Sequence, residues 1–208
     1  MPSERIRVMM VDDHPLLSEG LAAVIKNQHD MFPAGQASSG GEAIKRFNEC
    51  RPDVTLMDLR LPDMSGIDAM IAIRSKVSQA HFIILTTFGG DAEIQRALEA
   101  GARAYMLKTM PPNELVDVIR QVHAGKRMIP SGIAAYLAEH YSDEQLTPRE
   151  VDILRQLVGG NRNRDIANKL FIAEETVKSH LKHIMEKLGA NDRTQAVAIG
   201  VRRGIIQI

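Results

Sequence analysis

The sequence predicts an α/β fold, a doubly wound parallel sheet of five βα units, followed by an all-helical domain of four helices. Two observations lead to this prediction. Up to residue 125, short apolar runs alternate with stretches of helical periodicity, which is typical of a parallel sheet with helices on both faces. After a polar segment, apolar residues recur only at helical spacing.

The five predicted strands are short apolar runs that end at turn or polar residues. The first run is nearly continuous, as expected for a strand that is buried on both faces, and the second is weaker. We predict strands at Arg5 to Val11, Phe32 to Ala37, Val54 to Met57, Phe82 to Leu85 and Ala104 to Leu107. The helices between and after them are predicted to begin near Pro15, Gly41, Ser65, Asp91 and Pro112.

Residues 126–144 are predicted to form a linker, because they hold Pro130, Gly132 and a polar run. A short helix is expected within it, from Ile133 to His140. The helical domain then covers residues 145–208.

The first helix of that domain has a clear start signal. In Thr147-Pro-Arg-Glu150, Thr stands at the N-cap, Pro at the first helical position and Glu at the third, which predicts a capping box. We predict the other three helices at Asp165 to Leu170, Glu174 to Leu188 and Thr194 to Arg203.

Charge is balanced over the whole chain but unevenly distributed. The chain has 26 basic and 26 acidic residues; residues 1–125 hold 13 basic and 16 acidic ones, and residues 126–208 hold 13 basic and 10 acidic ones. Unless it is ordinary scatter, this asymmetry indicates an acidic site in the first half and a polyanionic partner for the second.

The composition also excludes several classes of protein. Cys50 is the one cysteine, which excludes a disulfide within the chain and a cysteine-based zinc site. With no Trp and few aromatic residues, nucleic-acid binding by base stacking is disfavoured. No signal-peptide pattern and no membrane-length apolar run are present, so we expect a cytoplasmic protein without a membrane partner.

Polar side chains stand at the carboxyl ends of four predicted strands: Asp12 and Asp13, Asp58, Thr86 and Lys108. In a parallel sheet these ends share one edge, although each residue alone is also compatible with ordinary turn or capping chemistry. Three converging carboxylates need a cation, and an oxygen donor set without His or Cys favours Mg²⁺ (or Mn²⁺). A carboxylate nucleophile, a divalent ion, an ammonium and a hydroxyl together suit the acceptance of a phosphoryl group.

With these residues, the first 125 residues resemble the receiver domain of two-component response regulators, a (βα)5 flavodoxin-like fold. The resemblance implies that Asp58 is the phosphoacceptor, Thr86 the switch hydroxyl and Lys108 the invariant lysine. It also implies that Tyr105 is a rotating aromatic switch. These roles predict a protein that is phosphorylated by a sensor histidine kinase.

The same resemblance implies a metal site. Asp12 and Asp13 match the acidic pair of the family, and the ion would be bound by Asp13, Asp58 and the backbone carbonyl of Arg60. The side chains of Arg60 and Phe88 would flank the route of hydrolytic water. We therefore expect slow dephosphorylation.

The helical half contains two helices joined by about three residues, which is helix-turn-helix spacing. On the second of them, Lys178 and Lys182 are four residues apart, with Ser179 beside them, on a polar face suited to the major groove. From this helix alone, a solvated surface helix remains open. His180 and His183 are interpreted as surface or groove-edge residues and not as metal ligands.

Residues from about 145 to 206 resemble the LuxR-type helix-turn-helix of the NarL/FixJ response regulators, through Leu146-Thr-Pro-Arg-Glu150, Ile166-Ala167 and Thr176-Val-Lys-Ser-His180. The resemblance implies that the fourth helix, around Gln195 to Ile199, forms a dimer contact. The DNA-binding residues that it implies are Asn163, Arg164, Thr176, Lys178, Ser179 and Lys182.

Two helix starts depart from the pattern of that family. Arg162 and Ala173 stand where the family commonly has a capping Ser, and losing such a cap costs about 0.5–2 kcal/mol. Asn161 or Asn163 could replace the first cap, and the acidic start of the third helix offsets part of the second loss. We therefore predict a somewhat labile DNA-binding half.

The resulting prediction is a DNA-binding transcriptional response regulator and not an enzyme. Phosphorylation of Asp58 would shift the surface from about Asp91 to Ala124. That change could free the DNA-binding half or promote a homodimer on a promoter inverted repeat. Two alternatives remain open. One is a Mg²⁺-dependent aspartyl-phosphate phosphatase, which Arg60 disfavours because it stands where a general acid is needed. The other is a protein-interaction module that does not bind DNA.

Overall fold

The computed structural model describes residues 5–87, 90–129 and 145–206. These residues form two compact units, one built around a sheet and one of helices only. Phe88 and the helix expected from Ile133 to His140 lie outside the described residues. Within the described parts of the chain, every helix is too short or too polar to cross a bilayer.

The first unit confirms the predicted α/β fold. Its strands, all parallel, are β1 (Ile6–Val11), β2 (Met31–Ala37), β3 (Val54–Asp58), β4 (Phe82–Thr86) and β5 (Ala104–Leu107). Its helices are α1 (Pro15–Lys26), α2 (Gly40–Cys50), α3 (Gly66–Arg74), α4 (Asp91–Glu99) and α5 (Pro112–His123). The strand order is β2-β1-β3-β4-β5, so the direction of winding reverses between β1 and β3. In open α/β sheets, ligands bind outside the carboxyl ends of the strands at such a switch point.

Burial explains why the strands have continuous apolar runs. Every residue of β3 and β4 is buried, because helices cover both faces of a parallel sheet. The edge strand β2 is only half-buried over most of its length. It contains Pro33, next to which its pairing with β1 is irregular, as expected because proline cannot donate a ladder hydrogen bond. This edge strand is also the weakest of the five predictions.

The second unit contains α6 (Pro148–Val158), α7 (Asn163–Leu170), α8 (Glu174–Leu188) and α9 (Arg193–Arg202). The predicted capping box of α6 is confirmed: Thr147 accepts from the backbone N–H of Glu150, whose carboxylate accepts from Thr147 N–H at 2.7 Å. The core is apolar and includes Ile153, Leu154, Leu157, Ile166, Val177, Leu181, Ile184, Leu188 and Ala196. One face of α8 thus packs against this core, and the opposite face is exposed to solvent.

The helix starts that depart from the family pattern lack side-chain caps. Arg162 is the N-cap of α7, and the one capping interaction is its backbone N–H donating to Asp165 Oδ2 at 3.2 Å. The suggestion that Asn161 replaces this cap is wrong, because its amide donates to Gln156 O and its oxygen accepts from Lys169. Asn163 does not cap it either, because it is the first helical residue.

Ala173 is the N-cap of α8 and offers no side-chain acceptor. Its backbone is extended, with φ −72° and ψ 148°, which is the conformation in which a serine at this position would cap the helix.

Candidate functional site

The carboxyl ends of β1, β3 and β5 bring three charged side chains together. Lys108 Nζ lies 2.6 Å from Asp12 Oδ2 and 2.8 Å from Asp58 Oδ2. The exposed fractions of the Lys108, Asp12 and Asp58 side chains are 7%, 2% and 5%. One buried ammonium therefore faces two buried carboxylates, and the group carries a net negative charge when all three are ionised.

Burial and pairing shift the pKa values of this group. Burial raises the pKa of Asp58, against the hydrogen bond and charge of Lys108 and the backbone N–H of Arg60. Burial lowers the pKa of Lys108, but its hydrogen bonds and charge interactions with Asp12 and Asp58 outweigh this effect and raise it. Pairing thus outweighs burial for the pKa of Lys108 but not for the pKa of Asp58. The reason is that Lys108 has two carboxylate partners, whereas the two carboxylates share one ammonium and repel each other. Lys108 therefore stays charged, and a further cation would stabilise the carboxylates.

Thr86 and Tyr105 are both fully buried, but at different heights in the sheet. Asp58 pairs with Leu85, and Lys108 N–H donates to Thr86 O at 2.7 Å, so Thr86 lies at the same edge as Asp58 and Lys108. Tyr105 is opposite Ile84 on β4, two residues further into the sheet than Thr86. Thr86 thus lies at the edge of the sheet that carries Asp58 and Lys108, and Tyr105 is buried two residues further from that edge.

His14 also lies at this edge, where no histidine was expected. Its Nδ1 is 3.0 Å from Asp12 Oδ1 and 2.8 Å from Asp13 Oδ1. Asp12, Asp13, His14 and Asp58 each offer a ligand atom, and these atoms lie within 4.8 Å of one another, so the group could hold a metal ion. The donor set without histidine stays a prediction, and His14 is a further side chain that stands within this group.

The reason is local backbone geometry. His14 N–H donates to Asp12 Oδ1 at 2.9 Å, which turns the chain back over the carboxylate before α1 begins at Pro15. The position of His14 directly after two aspartates was the available sequence signal.

The loop after Asp58 is held tightly. Gly66 N–H donates to Leu59 O at 2.9 Å, and Arg60 pairs with Ser65, so the backbone of Arg60 stays beside Asp58. Gly66 packs on the Asp58 carbonyl, where a Cβ would lie 1.9 Å from the oxygen, so no other residue fits.

Asp63, within the same loop, bonds to the start of a neighbouring helix. Its Oδ1 and Oδ2 accept from the backbone N–H groups of Gly40 and Gly41, each at 2.8 Å. These bonds lower the pKa of Asp63, and its charge is favourable at the N-terminus of α2. The loop that carries Arg60 is therefore pinned at a second point, which sequence reasoning did not identify.

The predicted nucleic-acid face of the second unit is exposed along α8. Phe171 to Ala173 separate α7 from α8, and Phe171 adopts the left-handed conformation with φ 55°. The predicted contact residues are exposed, except for half-buried Asn163; they are Asn163, Arg164, Thr176, Lys178, Ser179 and Lys182. The structure therefore brings them to the surface of one helix pair, which is the geometry that a major-groove reader requires.

The two lysines of this face have acidic partners. Lys178 Nζ is 3.0 Å from Glu175 Oε2, and Lys182 Nζ is 3.8 Å from Glu186 Oε1. The hydrogen bond from Lys178 to Glu175 raises the pKa of Lys178. The face is thus less positive than its lysines alone suggest. His180 and His183 belong to no metal-binding group found among the described residues.

Known proteins are similar to both halves of the chain. A family model described as response regulator receiver domain matches residues 8–120, and one described as bacterial regulatory proteins, luxR family, matches residues 144–199. The chain is 39% identical to the uncharacterized transcriptional regulatory protein YxjL of Bacillus subtilis, with all of both chains covered. It is 36% identical to the response regulator protein VraR of Staphylococcus aureus, over 97% of this chain and 99% of that protein. The crystal structure of the response regulator ChrA, from a heme-sensing two-component system, matches with 35% identity and a TM-score of 0.57, over 97% of this chain and 99% of that one.

Proposed function

The chain belongs to the NarL/FixJ-type response regulators, the DNA-binding transcriptional regulators of two-component systems, and we propose that Asp58 is its phosphoacceptor. One observation carries the proposal: Lys108 bridges two buried carboxylates, of which Asp58 stands at the end of a central strand. A sensor histidine kinase would supply the phosphoryl group. One oxygen of Asp58 would attack phosphorus while the bond to the kinase nitrogen breaks.

The residues around Asp58 fit the charge that this transfer creates. The ammonium of Lys108 would pair with one phosphoryl oxygen, and the hydroxyl of Thr86 would donate to another. Asp12, Asp13, Asp58 and the backbone carbonyl of Arg60 would hold a divalent ion such as Mg²⁺ or Mn²⁺. When bound, the ion would neutralise negative charge on the carboxylates and on the phosphoryl oxygens.

Phosphorylation would act by shifting a conformational equilibrium. A hydrogen bond from Thr86 to the phosphoryl group would draw the end of β4 toward Asp58, and Tyr105 would repack in the space behind Thr86. The surface formed by α4, β5 and α5 would change with it. This surface is where we place the output of the receiver.

The output would be DNA binding by a homodimer on a promoter inverted repeat. A two-fold dimer places two α8 helices about one DNA turn apart, so each can enter a major groove. Of the segment predicted to form the dimer contact, Gln195 and Ala198 are exposed on α9, whereas Ala196 is buried in the core. Gln195 and Ala198 are therefore the part of this segment that a second copy can reach.

We propose no turnover of external phosphate esters. A phosphatase of this type would need a general acid two residues after its nucleophile, and that residue is the exposed Arg60.

The phosphoacceptor is tested by labelling the full chain with a small phosphodonor in the presence of Mg²⁺. Intact-mass spectrometry should show one added phosphoryl group on the wild type and none on Asp58→Ala. Asp68→Asn is the matched control, because Asp68 is an exposed aspartate on α3, and it should label like the wild type. Labelling of Asp58→Ala at the wild-type level would contradict the proposal.

A further inference from the structure

We propose that a cavity at the amino edge of the sheet binds a small organic anion, with its charged group beside His81 and His123 and its apolar part against Phe47 and Val77. The cavity lies between the carboxyl end of α2, the loop from α3 to β4 and the carboxyl end of α5. Its volume is about 600 Å³, within the range of pockets that take small molecules.

The cavity and the proposed phosphoacceptor lie at opposite ends of one strand. Asp53, which lines the cavity, stands directly before β3, and Asp58 is the last residue of β3. An extended strand of this length separates the two residues by about 16 Å. Because every residue of β3 is buried, a small ligand in the cavity does not reach the acidic pocket. The inference therefore does not rest on the role of Asp58.

Basic groups outnumber acidic ones around the cavity. Arg51, the exposed C-cap residue of α2, is part of the lining. The positive charges of Arg74, from α3, and of Arg103, directly before β5, act on His81. Among the described lining residues, Asp53 has the one acidic side chain. The surroundings thus carry net positive charge even when the histidines are neutral, which is complementary to an anion.

The imidazole of His81 responds to this charge. Burial lowers the pKa of His81, and the positive charges of Arg103, His123 and Arg74 lower it further, against the opposing charge of Asp53. A bound anion would offset the positive charges and raise the pKa again. By linkage, the protonated imidazole binds the anion more tightly than the neutral one. The affinity should therefore increase as the pH falls through the pKa of His81, which lies below 6.5.

Part of the lining is apolar, which favours an organic anion over an inorganic one. Phe47 is buried, and its ring stacks on that of Phe82 with the centroids 6.1 Å apart, so its position is fixed. Val77, in the loop after α3, is 38% exposed. A ring or an alkyl group on the anion would remove this apolar surface from water, and an inorganic anion would not.

The test is an NMR titration of the full chain, labelled with ¹³C in its histidine rings, with benzenesulfonate in the absence of divalent ions. This anion keeps one negative charge across the range in which histidine titrates. Saturable shifts are expected for the signals of His81 and His123. The affinity should be severalfold higher at about pH 5.5 than at about pH 7.5. Sulfate carries the charge without the ring and benzyl alcohol the ring without the charge, so each should bind more weakly.

Two variants should change the affinity in opposite directions. His81→Asn removes the titrating group, so it should weaken binding severalfold and flatten the pH dependence. Asp53→Asn removes a negative charge and should strengthen binding. It also keeps an oxygen for the backbone N–H of Arg7, which Asp53 Oδ2 accepts at 2.8 Å. His29→Asn is the matched control, because His29 is 92% exposed and lies outside the cavity lining, and it should bind like the wild type.

Asp58→Ala tests the location of the bound anion. It should bind benzenesulfonate like the wild type, because the acidic pocket is at the other edge of the sheet. Weaker binding in Asp58→Ala, with shifts at His14 in place of His81, would put the anion in the acidic pocket and overturn the proposal. Equal affinities in His81→Asn, Asp53→Asn and the wild type would overturn it as well.

Discussion

Lys108 and Asp58 are hydrogen-bonded, with Nζ 2.8 Å from Oδ2, and yet the pKa of Asp58 is raised. Burial of Asp58 and the nearby charge of Asp12 outweigh the shared ammonium. Because the pKa is higher in the folded chain than in the unfolded one, ionising Asp58 at neutral pH reduces the free energy of unfolding. The ionised carboxylate that we propose to be phosphorylated therefore destabilises the folded chain.

We therefore predict that Asp58→Asn raises the melting temperature by a few degrees at pH 7 in the absence of divalent ions. The gain should disappear as the pH falls below about 3.9, the unfolded pKa, because Asp58 is then uncharged in both states. Thermal melts followed by circular dichroism across this pH range check the sign. A wild type more stable than Asp58→Asn at pH 7 would contradict it.

A second prediction concerns the loop that Asp63 pins to Gly40 and Gly41. Asp63→Ala removes both acceptors, so the backbone of Arg60 is held less firmly beside Asp58. The initial rate of labelling by a small phosphodonor should fall severalfold, since misplaced groups slow transfer steeply. Asp63→Asn keeps one acceptor and should be intermediate, whereas Asp68→Asn should match the wild type. Equal rates in all four proteins would show that the pin has no role in the reaction.

A third prediction follows from the pairing of Glu175 with Lys178 on α8. Glu175→Gln frees the ammonium of Lys178 from its ion pair and removes a negative charge that repels phosphate. The affinity for DNA should therefore increase, severalfold at most. The gain should shrink as salt increases, because exposed charges are screened. Glu174→Gln removes the same charge from the same helix turn and should gain less. Fluorescence anisotropy with a labelled duplex at two salt concentrations measures both effects.

Lys182 provides a fourth prediction about the same face. Lys182→Ala should weaken DNA binding and flatten the slope of log K against log salt by about one unit, as expected for the loss of one phosphate contact. Arg155→Ala removes an equal charge from an exposed position on α6, outside the predicted face, and is the control. An equal change of slope in both variants would mean that the effect is one of net charge.

The uncapped start of α8 gives a fifth prediction. Ala173→Ser supplies an acceptor for the first turn and should stabilise the helical unit by about 1 kcal/mol, which raises its melting temperature. Ala198→Ser adds the same hydroxyl to an exposed position inside α9, where no cap is needed, and should not stabilise. If the two variants melt alike, the absence of a cap does not limit stability.

Local patterns in the sequence determined most of the fold. The apolar runs of β3 and β4 and the capping box at Thr147 and Glu150 were predictable, because neighbouring residues decide them. The strand ends of a parallel sheet share one edge, so the convergence of Asp58 and Lys108 was also predictable from topology. Their roles came from the resemblance to a family, which the two matching family models agree with.

Tertiary structure alone decided two kinds of side-chain contact. Some join residues that are distant in sequence, and others form where the backbone turns back on itself. Periodicity carries no information on the backbone N–H donors of α2 that Asp63 reaches. Nor does it indicate which oxygen of Asp12 lies against Lys108 and which against His14. The same holds for Asn161, which bonds to Gln156 and leaves α7 without its side chain as a cap. The reason is that these contacts depend on rotamers and on distances through space, which the packed chain sets and a linear pattern does not.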